Sequence, residues 1–173
     1  TAPGQPSVAL LAGLYRVKDL GEHTRWFGLL GNPALHSLGP WLHNRAFRQL
    51  GLDALYLPFE TSRPESVLAM LSTDRLGGLS VTAPFKDRML DACVRVSKEA
   101  AAVGAVNTLL PADGGGLVGE NTDVLGVRDA LSGAGAQATS GQAAAVLGAG
   151  GGARAAALAL RNMGFQVTLL ARS

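Results

Sequence analysis

Val146-Leu147-Gly148-Ala149-Gly150-Gly151-Gly152-Ala153-Arg154 decides the fold class of this 173-residue chain. The stretch holds Gly-x-Gly-x-x-Ala at Gly148, Gly150 and Ala153. An apolar run, Ala143 to Leu147, precedes it, and a helical pattern, Ala153 to Met163, continues it. A further apolar run, Phe165 to Leu170, follows. Strand, glycine turn, helix, strand is the context a dinucleotide fingerprint requires. Glycines permit the tight turn and let a pyrophosphate approach the helix N-terminus, whose N–H groups lack intrahelical partners. A glycine cluster alone equally suits a linker, and the flanking βαβ pattern argues against that. The cofactor-binding candidates are therefore Gly148, Ala149, Gly150, Gly151, Gly152 and Ala153. The second strand ends in Ala171-Arg172-Ser173, where a fold of this type reads the ribose. An acidic residue there would hold a free 2′-hydroxyl, whereas Arg172 and Ser173 suit a 2′-phosphate, so NADP is the expected cofactor. The bland alternative for Arg172 is an exposed strand-end arginine.

Moving towards the N-terminus, Ser132 to Gln142 is small and polar and reads as a domain boundary. Before it come a helix over Thr122 to Leu131 and two apolar strands, Ala105 to Leu110 and Leu117 to Asn121, around the turn Pro111-Ala-Asp-Gly-Gly-Gly116. Ser97 to Val103 reads as a helix stopped by Gly104, and a helix is expected from Phe85 towards Val94. Leu79 to Thr82 is a strand broken by Pro84, and Ser62-x-x-Glu65 is a capping-box pattern opening a helix to Leu71. Ala54 to Phe59 alternates as a strand. A helix starts at Pro40, carries Leu42, Ala46 and Leu50 on one face, and stops at Gly51. Trp26 to Leu30 is a buried-strand run ended by Gly31-Asn-Pro33. Residues 1–24 look like a tether, opening with Thr1-Ala-Pro-Gly-Gln-Pro-Ser7. The expected fold is α/β: a mixed, mainly parallel sheet in a first domain over 25–135, then the start of a doubly wound, Rossmann-type domain over 141–173.

Composition bounds the function classes. Hydrophobic residues at 47% and charged residues at 16% exclude a disordered chain. The net charge is only +2, and the basic residues are scattered without aromatic partners, so the pI of about 9.0 gives no reason to expect nucleic acid. One cysteine, Cys93, precludes an internal disulfide and reads as a packing residue in a reducing compartment. No apolar run reaches the roughly 18 residues a membrane span needs. Val8 to Ala12 has no basic leader, so a cytoplasmic protein is expected. No metal site is expected.

Three segments place polar groups where loops meet strand ends. His36-Ser-Leu-Gly-Pro40 precedes a helix, and Ser37 could be an N-cap. Ser80-Val-Thr-Ala-Pro-Phe-Lys86 follows a strand, and Lys86 could be an ordinary surface lysine. Glu120-Asn-Thr-Asp123 begins a helix, where Asn121 or Asp123 could be caps. Read from the residues alone, these amount to hydroxyls, an amide and a lysine–aspartate pair beside a dinucleotide.

His36-Ser-x-x-Pro40, Val81-Thr-x-Pro-x-Lys86, Gly104-Ala-Val-Asn-Thr108, Asn121-Thr-Asp123 and Gly148-Ala-Gly-Gly151 stand in the order and approximate spacing of the shikimate dehydrogenase family. The chain resembles that family from about Trp26 to Ser173. The segment from Leu14-Tyr-Arg-Val17 to Trp26-Phe-Gly28 also looks like the connector in chains where this enzyme follows a 3-dehydroquinate dehydratase domain. The resemblance implies an NADP-dependent oxidoreductase that reversibly reduces the ketone of 3-dehydroshikimate to shikimate, on the shikimate pathway to aromatic amino acids. It makes 25–135 the substrate-binding catalytic domain. Lys86 matches the family's catalytic lysine and Asp123 its partner. Ser37, Thr82 and Asn107 match positions that bind the substrate's carboxylate and ring hydroxyls, and Gly39 and Thr122 lie in the same motifs. The chemistry is consistent: a ketone taking hydride develops alkoxide charge, which a nearby ammonium stabilises and protonates.

Two departures stand out. The family usually has a second serine two residues after the first, and here that position is Gly39. The missing side chain is expected to leave space for one extra hydroxyl, hence relaxed specificity with quinate as a second substrate. Past Ser140 only residues 141–173 remain, so the nicotinamide half-site is expected to be incomplete. Rival readings are another NADP-dependent reductase such as a methylenetetrahydrofolate dehydrogenase, a non-catalytic metabolite sensor, and a substrate-binding module without turnover. A homodimer and a fusion to a dehydratase domain are both compatible with the resemblance.

Overall fold

The computed structural model describes residues 5–70, 74–138 and 141–172. By packing the chain divides into two units, residues 1–85 with 110–116 and residues 86–109 with 117–173. The first unit opens with a helix, α1 (Val8–Gly13), inside the stretch expected to be a tether. Ser7 Oγ accepts the Leu10 N–H, and the Arg48 guanidinium donates to the Gly13 carbonyl at 3.0 Å. Six residues are too few for a helix to persist on propensity alone, and periodicity is illegible over so short a span. Residues 1–4 of the expected tether lie outside the described residues.

The apolar runs then become strands. β1 (Arg25–Gly31) runs parallel to both β2 (Ala54–Glu60) and β3 (Leu76–Val81). Parallel neighbours need crossovers, which α2 (Gly39–Gln49) and α3 (Pro64–Met70) supply. Pro40 occupies the first turn of α2, as its fixed φ predicts. Leu30, Leu55, Tyr56, Leu79 and Val81 form the buried centre of this unit. β3 begins three residues before the expected Leu79, and its register with β1 shifts at Trp26/Phe27. Gly77 is the reason, since a Cβ there would run into the Phe27 ring.

The second unit carries β4 (Arg95–Val96), α4 (Lys98–Val103), the first half of β5 (Thr108–Pro111), whose last two residues belong to the first unit, β6 (Leu117–Glu120), α5 (Asp123–Gly133), β7 (Ala143–Leu147), α6 (Gly151–Asn162) and β8 (Gln166–Leu170). β4 pairs with β6 and β7 with β8, both parallel. Gly104 ends α4 in the left-handed conformation, φ 67°, that glycine adopts without strain. The helix expected from Phe85 to Val94 is a single tight turn, Arg88–Leu90. Competing bonds explain the shortfall. The Lys86 carbonyl accepts the Val106 N–H at 2.8 Å, and the Val94 N–H goes to the Leu117 carbonyl at 2.9 Å. Backbone groups committed to distant partners cannot also close helical turns.

Val103, Ala105, Val124, Ala155 and Ala159 form a buried cluster with Val127 and Leu158 against it, in which alanine side chains let α4, α5 and α6 approach closely. α6 starts at Gly151, two residues before the expected Ala153. Residues 136–138, 141 and 142 of the expected boundary carry neither helix nor strand, and 139–140 lie outside the described residues. Among the described residues no helix is long and apolar enough to cross a membrane.

Candidate active site

The loop after β3, the residue before β5 and the N-terminus of α5 bring four of the expected residues together: Lys86, Asn107, Thr122 and Asp123. Lys86 Nζ donates to Asp123 Oδ2 at 2.6 Å. Asp123 Oδ1 accepts from Asn107 Nδ2 at 2.7 Å, and the other Asn107 amide proton goes to Thr122 Oγ1 at 3.0 Å. Asn107 Oδ1 in turn accepts the Thr122 N–H at 2.9 Å. Both carboxylate oxygens of Asp123 are thus fixed, one by an ammonium and one by an amide. Asp123 also sits in the first turn of α5, where the helix dipole favours an anion. The pair is partly shielded, with side-chain exposures of 21% for Lys86 and 32% for Asp123, which strengthens their attraction relative to water without burying an unpaired charge. Asn121, which the sequence offered as a cap, instead donates to the Ala105 carbonyl at 2.9 Å and is 2% exposed.

The glycine turn forms beside this pair within the second unit. Gly148 takes a positive φ of 116°, and its N–H reaches the Leu170 carbonyl at 2.8 Å, tying the ends of β7 and β8 together. Gly148, Ala149, Ala171 and Arg172 line one pocket. A Cβ at Gly150 or Gly152 would meet no atom within 4 Å, so the space over the helix start is open. No side chain caps α6, and its first intrahelical bond begins at Arg154 N–H to the Gly150 carbonyl, so the amides of Gly151, Gly152 and Ala153 remain for an anion. This cradle fits a dinucleotide pyrophosphate, with Arg172 at its edge. Ser173 lies outside the described residues.

Gly151 has a second role that the motif does not reveal. A Cβ there would stand 3.2 Å from the Ala105 Cβ and 3.4 Å from the Lys86 Cδ, so the turn packs on the lysine stem. Arg154, which the sequence reading passed over, completes the join. Its Nε donates to the Val103 carbonyl at 2.8 Å, Nη1 to the Ala149 carbonyl at 3.1 Å, and Nη2 to Asp87 Oδ1 at 2.6 Å and the Gly104 carbonyl at 3.2 Å. No sequence signal short of the tertiary contacts marks an arginine for that task.

Ser37, Gly39 and Thr82 belong to the first unit. Ser37 Oγ accepts the Gly39 N–H at 3.0 Å, which leaves the hydroxyl proton available to a ligand. The formal N-cap is Leu38, so Ser37 serves the start of α2 from one residue further back. Thr82 is half-buried beside Gly31, held by its N–H to the Leu30 carbonyl at 2.9 Å. A Cβ at Gly39 would stand 3.1 Å from Ser37 Oγ and 3.3 Å from Tyr56 Cε1, so a side chain there would press on both residues.

The loop that carries Ser37 is pinned by Glu60, whose Oε2 accepts the Leu35 N–H at 3.0 Å and the Ala34 N–H at 2.6 Å. These two bonds, Leu35 first, hold the carboxyl below its ordinary range. A lowered carboxyl stabilises the fold above its unfolded-state pKa, and that stabilisation is lost as pH falls through the folded value. Hydrogen-exchange protection at Ala34 and Leu35 is therefore expected to fall as pH drops below the usual glutamate range. Glu60→Gln should lower it at neutral pH and flatten the dependence. Protection that stays constant through acid in the parent chain would refute the pin.

The sequence model described as the shikimate dehydrogenase substrate binding domain matches residues 29–109. The pentafunctional AROM polypeptide of Yarrowia lipolytica is 38% identical over 174 residues, covering 98% of this chain and 11% of that protein. The chloroplastic bifunctional 3-dehydroquinate dehydratase/shikimate dehydrogenase of Arabidopsis thaliana is 32% identical, covering 100% of this chain and 31% of that one. The crystal structure of shikimate dehydrogenase from Aquifex aeolicus superposes with a TM-score of 0.80 at 33% identity, covering 89% of this chain and 58% of that chain. Shikimate 5-dehydrogenase from Thermus thermophilus in complex with NADP(H) and shikimate gives 0.74 at 39% identity, covering 86% and 56%. This chain therefore spans only part of each relative it matches. Residues 29–109 thus match the substrate binding domain of shikimate dehydrogenases, and the chain is similar to shikimate dehydrogenases over most of its length.

Proposed function

We propose that this chain carries the substrate-binding and proton-transfer part of a shikimate dehydrogenase, interconverting 3-dehydroshikimate and shikimate with NADP. The observation that carries the reading is the Lys86–Asp123–Asn107 arrangement, an ammonium held at 2.6 Å by a carboxylate whose other oxygen is fixed by a buried amide. Lys86 Nζ stabilises the alkoxide that develops on the substrate carbonyl oxygen and delivers a proton to it. In the opposite direction the same nitrogen, once deprotonated, receives the hydroxyl proton. Asp123 keeps the ammonium aimed, and Asn107 keeps Asp123 from rotating away. Ser37 and Thr82 offer hydroxyls to the substrate's carboxylate and ring oxygens. The amides of Gly151, Gly152 and Ala153 would hold the pyrophosphate, and Arg172 with Ser173 the 2′-phosphate, while the nicotinamide supplies or receives the hydride.

The functional division proposed is 25–135 for the substrate and 141–173 for the opening of the NADP-binding domain, with 1–24 as the approach to them. The proposed setting is cytoplasmic, with the chain joined to a dehydratase, as in the Arabidopsis relative, or paired as a homodimer. The test is absorbance at the NADPH band while purified protein meets shikimate and NADP, with shikimate binding measured in parallel by calorimetry. Binding without reduction favours a substrate-binding module. Neither binding nor reduction sinks the proposal.

A further inference from the structure

Tyr56 is held more firmly than packing requires. Its backbone carbonyl accepts from Asn44 Nδ2 at 2.8 Å, and its N–H donates to Asn44 Oδ1 at 2.8 Å, from a side chain only 4% exposed. The His43 ring stacks on the phenol ring at 4.3 Å between centroids and 16° between planes. Ser80, on β3, shares a hydrogen bond with the phenol hydroxyl. Three residues on two elements, α2 and β3, thus fix backbone, ring and oxygen separately. Tyr56 itself is 4% exposed, and a buried hydroxyl costs stability unless its bonding capacity is used. A phenylalanine would fill the same volume without that cost.

The hydroxyl oxygen lies beside Gly39. A Cβ built at Gly39 would stand 3.6 Å from the Tyr56 hydroxyl oxygen and 3.1 Å from Ser37 Oγ. Ser37 Oγ is already accepting the Gly39 N–H, so its own proton points elsewhere. Burial pushes the Tyr56 phenol up, the Ser80 bond opposing, so it keeps its proton at neutral pH.

Resting on the reading of this chain as a shikimate-binding protein, we propose that Tyr56 is a specificity-determining residue of the Ser37 subsite. Its hydroxyl stands beside the place where a side chain at position 39 would project, and it serves as the second donor to one oxygen of the substrate's carboxylate.

The test is calorimetric binding of shikimate to the 173-residue chain, with thermal midpoints measured on every variant. Losing a hydrogen bond to a charged partner should weaken binding about tenfold in Tyr56→Phe. Ser37→Ala should cause a comparable loss. In Tyr56→Phe/Gly39→Ser, the new serine hydroxyl should recover most of the affinity, a rescue that a merely structural role for Tyr56 would not produce. Affinity within twofold of the parent in Tyr56→Phe, while Ser37→Ala is weakened, overturns the inference and leaves the underlying reading standing. A loss in Tyr56→Phe without rescue in the double variant also overturns it. If the parent chain itself binds no shikimate, the underlying reading fails first, and the inference with it.

Discussion

Lys86→Met is expected to lower the rate of shikimate-dependent NADP reduction by roughly two to four orders of magnitude, the range typical of a lost general acid–base group. Methionine keeps the unbranched stem that packs near Gly151 and Ala105, so the loss should fall on turnover and not on folding. Asp123 remains bonded to Asn107 at 2.7 Å, which limits the cost of leaving its carboxylate without an ammonium. The thermal midpoint should therefore move by only a few degrees, on the order of 1 kcal/mol for a partly exposed pair. Steady-state rates by NADPH absorbance and unfolding by circular dichroism check both halves. A variant that retains a tenth or more of the parent rate removes Lys86 from the proton-transfer role.

Arg154→Ala should produce the largest structural effect. One guanidinium satisfies the carbonyls of Ala149, Val103 and Gly104 and pairs with Asp87 at 2.6 Å. Each bond is worth about 1 kcal/mol net, so the expected loss is roughly 2–3 kcal/mol, or about 4–12 °C in midpoint for a chain of this size. Turnover should fall as well, because Asp87 adjoins Lys86 and Gly151 leans on the lysine stem. Arg154→Lys should lie in between: it keeps a charge for Asp87 but lacks the planar fork that reaches several carbonyls together. A midpoint within a degree of the parent would show that the helix start is held by the alanine cluster alone. Arg154 would then be a surface arginine.

The sequence by itself determined the α/β class and most elements, for physical reasons local to each. Continuous apolar runs such as Trp26–Leu30 become parallel strands, and Pro40 and Gly104 act through their own φ preferences, independent of distant residues. The catalytic candidates were legible as motifs, since Lys86, Asn107 and Asp123 carry chemistry that can be named from residue type and order. Tertiary structure alone decided what those residues touch. The 86–94 segment has helical composition, yet the Lys86 carbonyl is claimed by Val106, twenty residues on, and a bond of that separation leaves no local trace. α1 is likewise fixed by a contact with Arg48 and not by its own six residues. Gly39 reads in one dimension as a missing side chain and in three as a position where a Cβ would press on Ser37 and Tyr56. Space beside a glycine belongs to whichever side chain folds into it, and only the packed chain says which one that is.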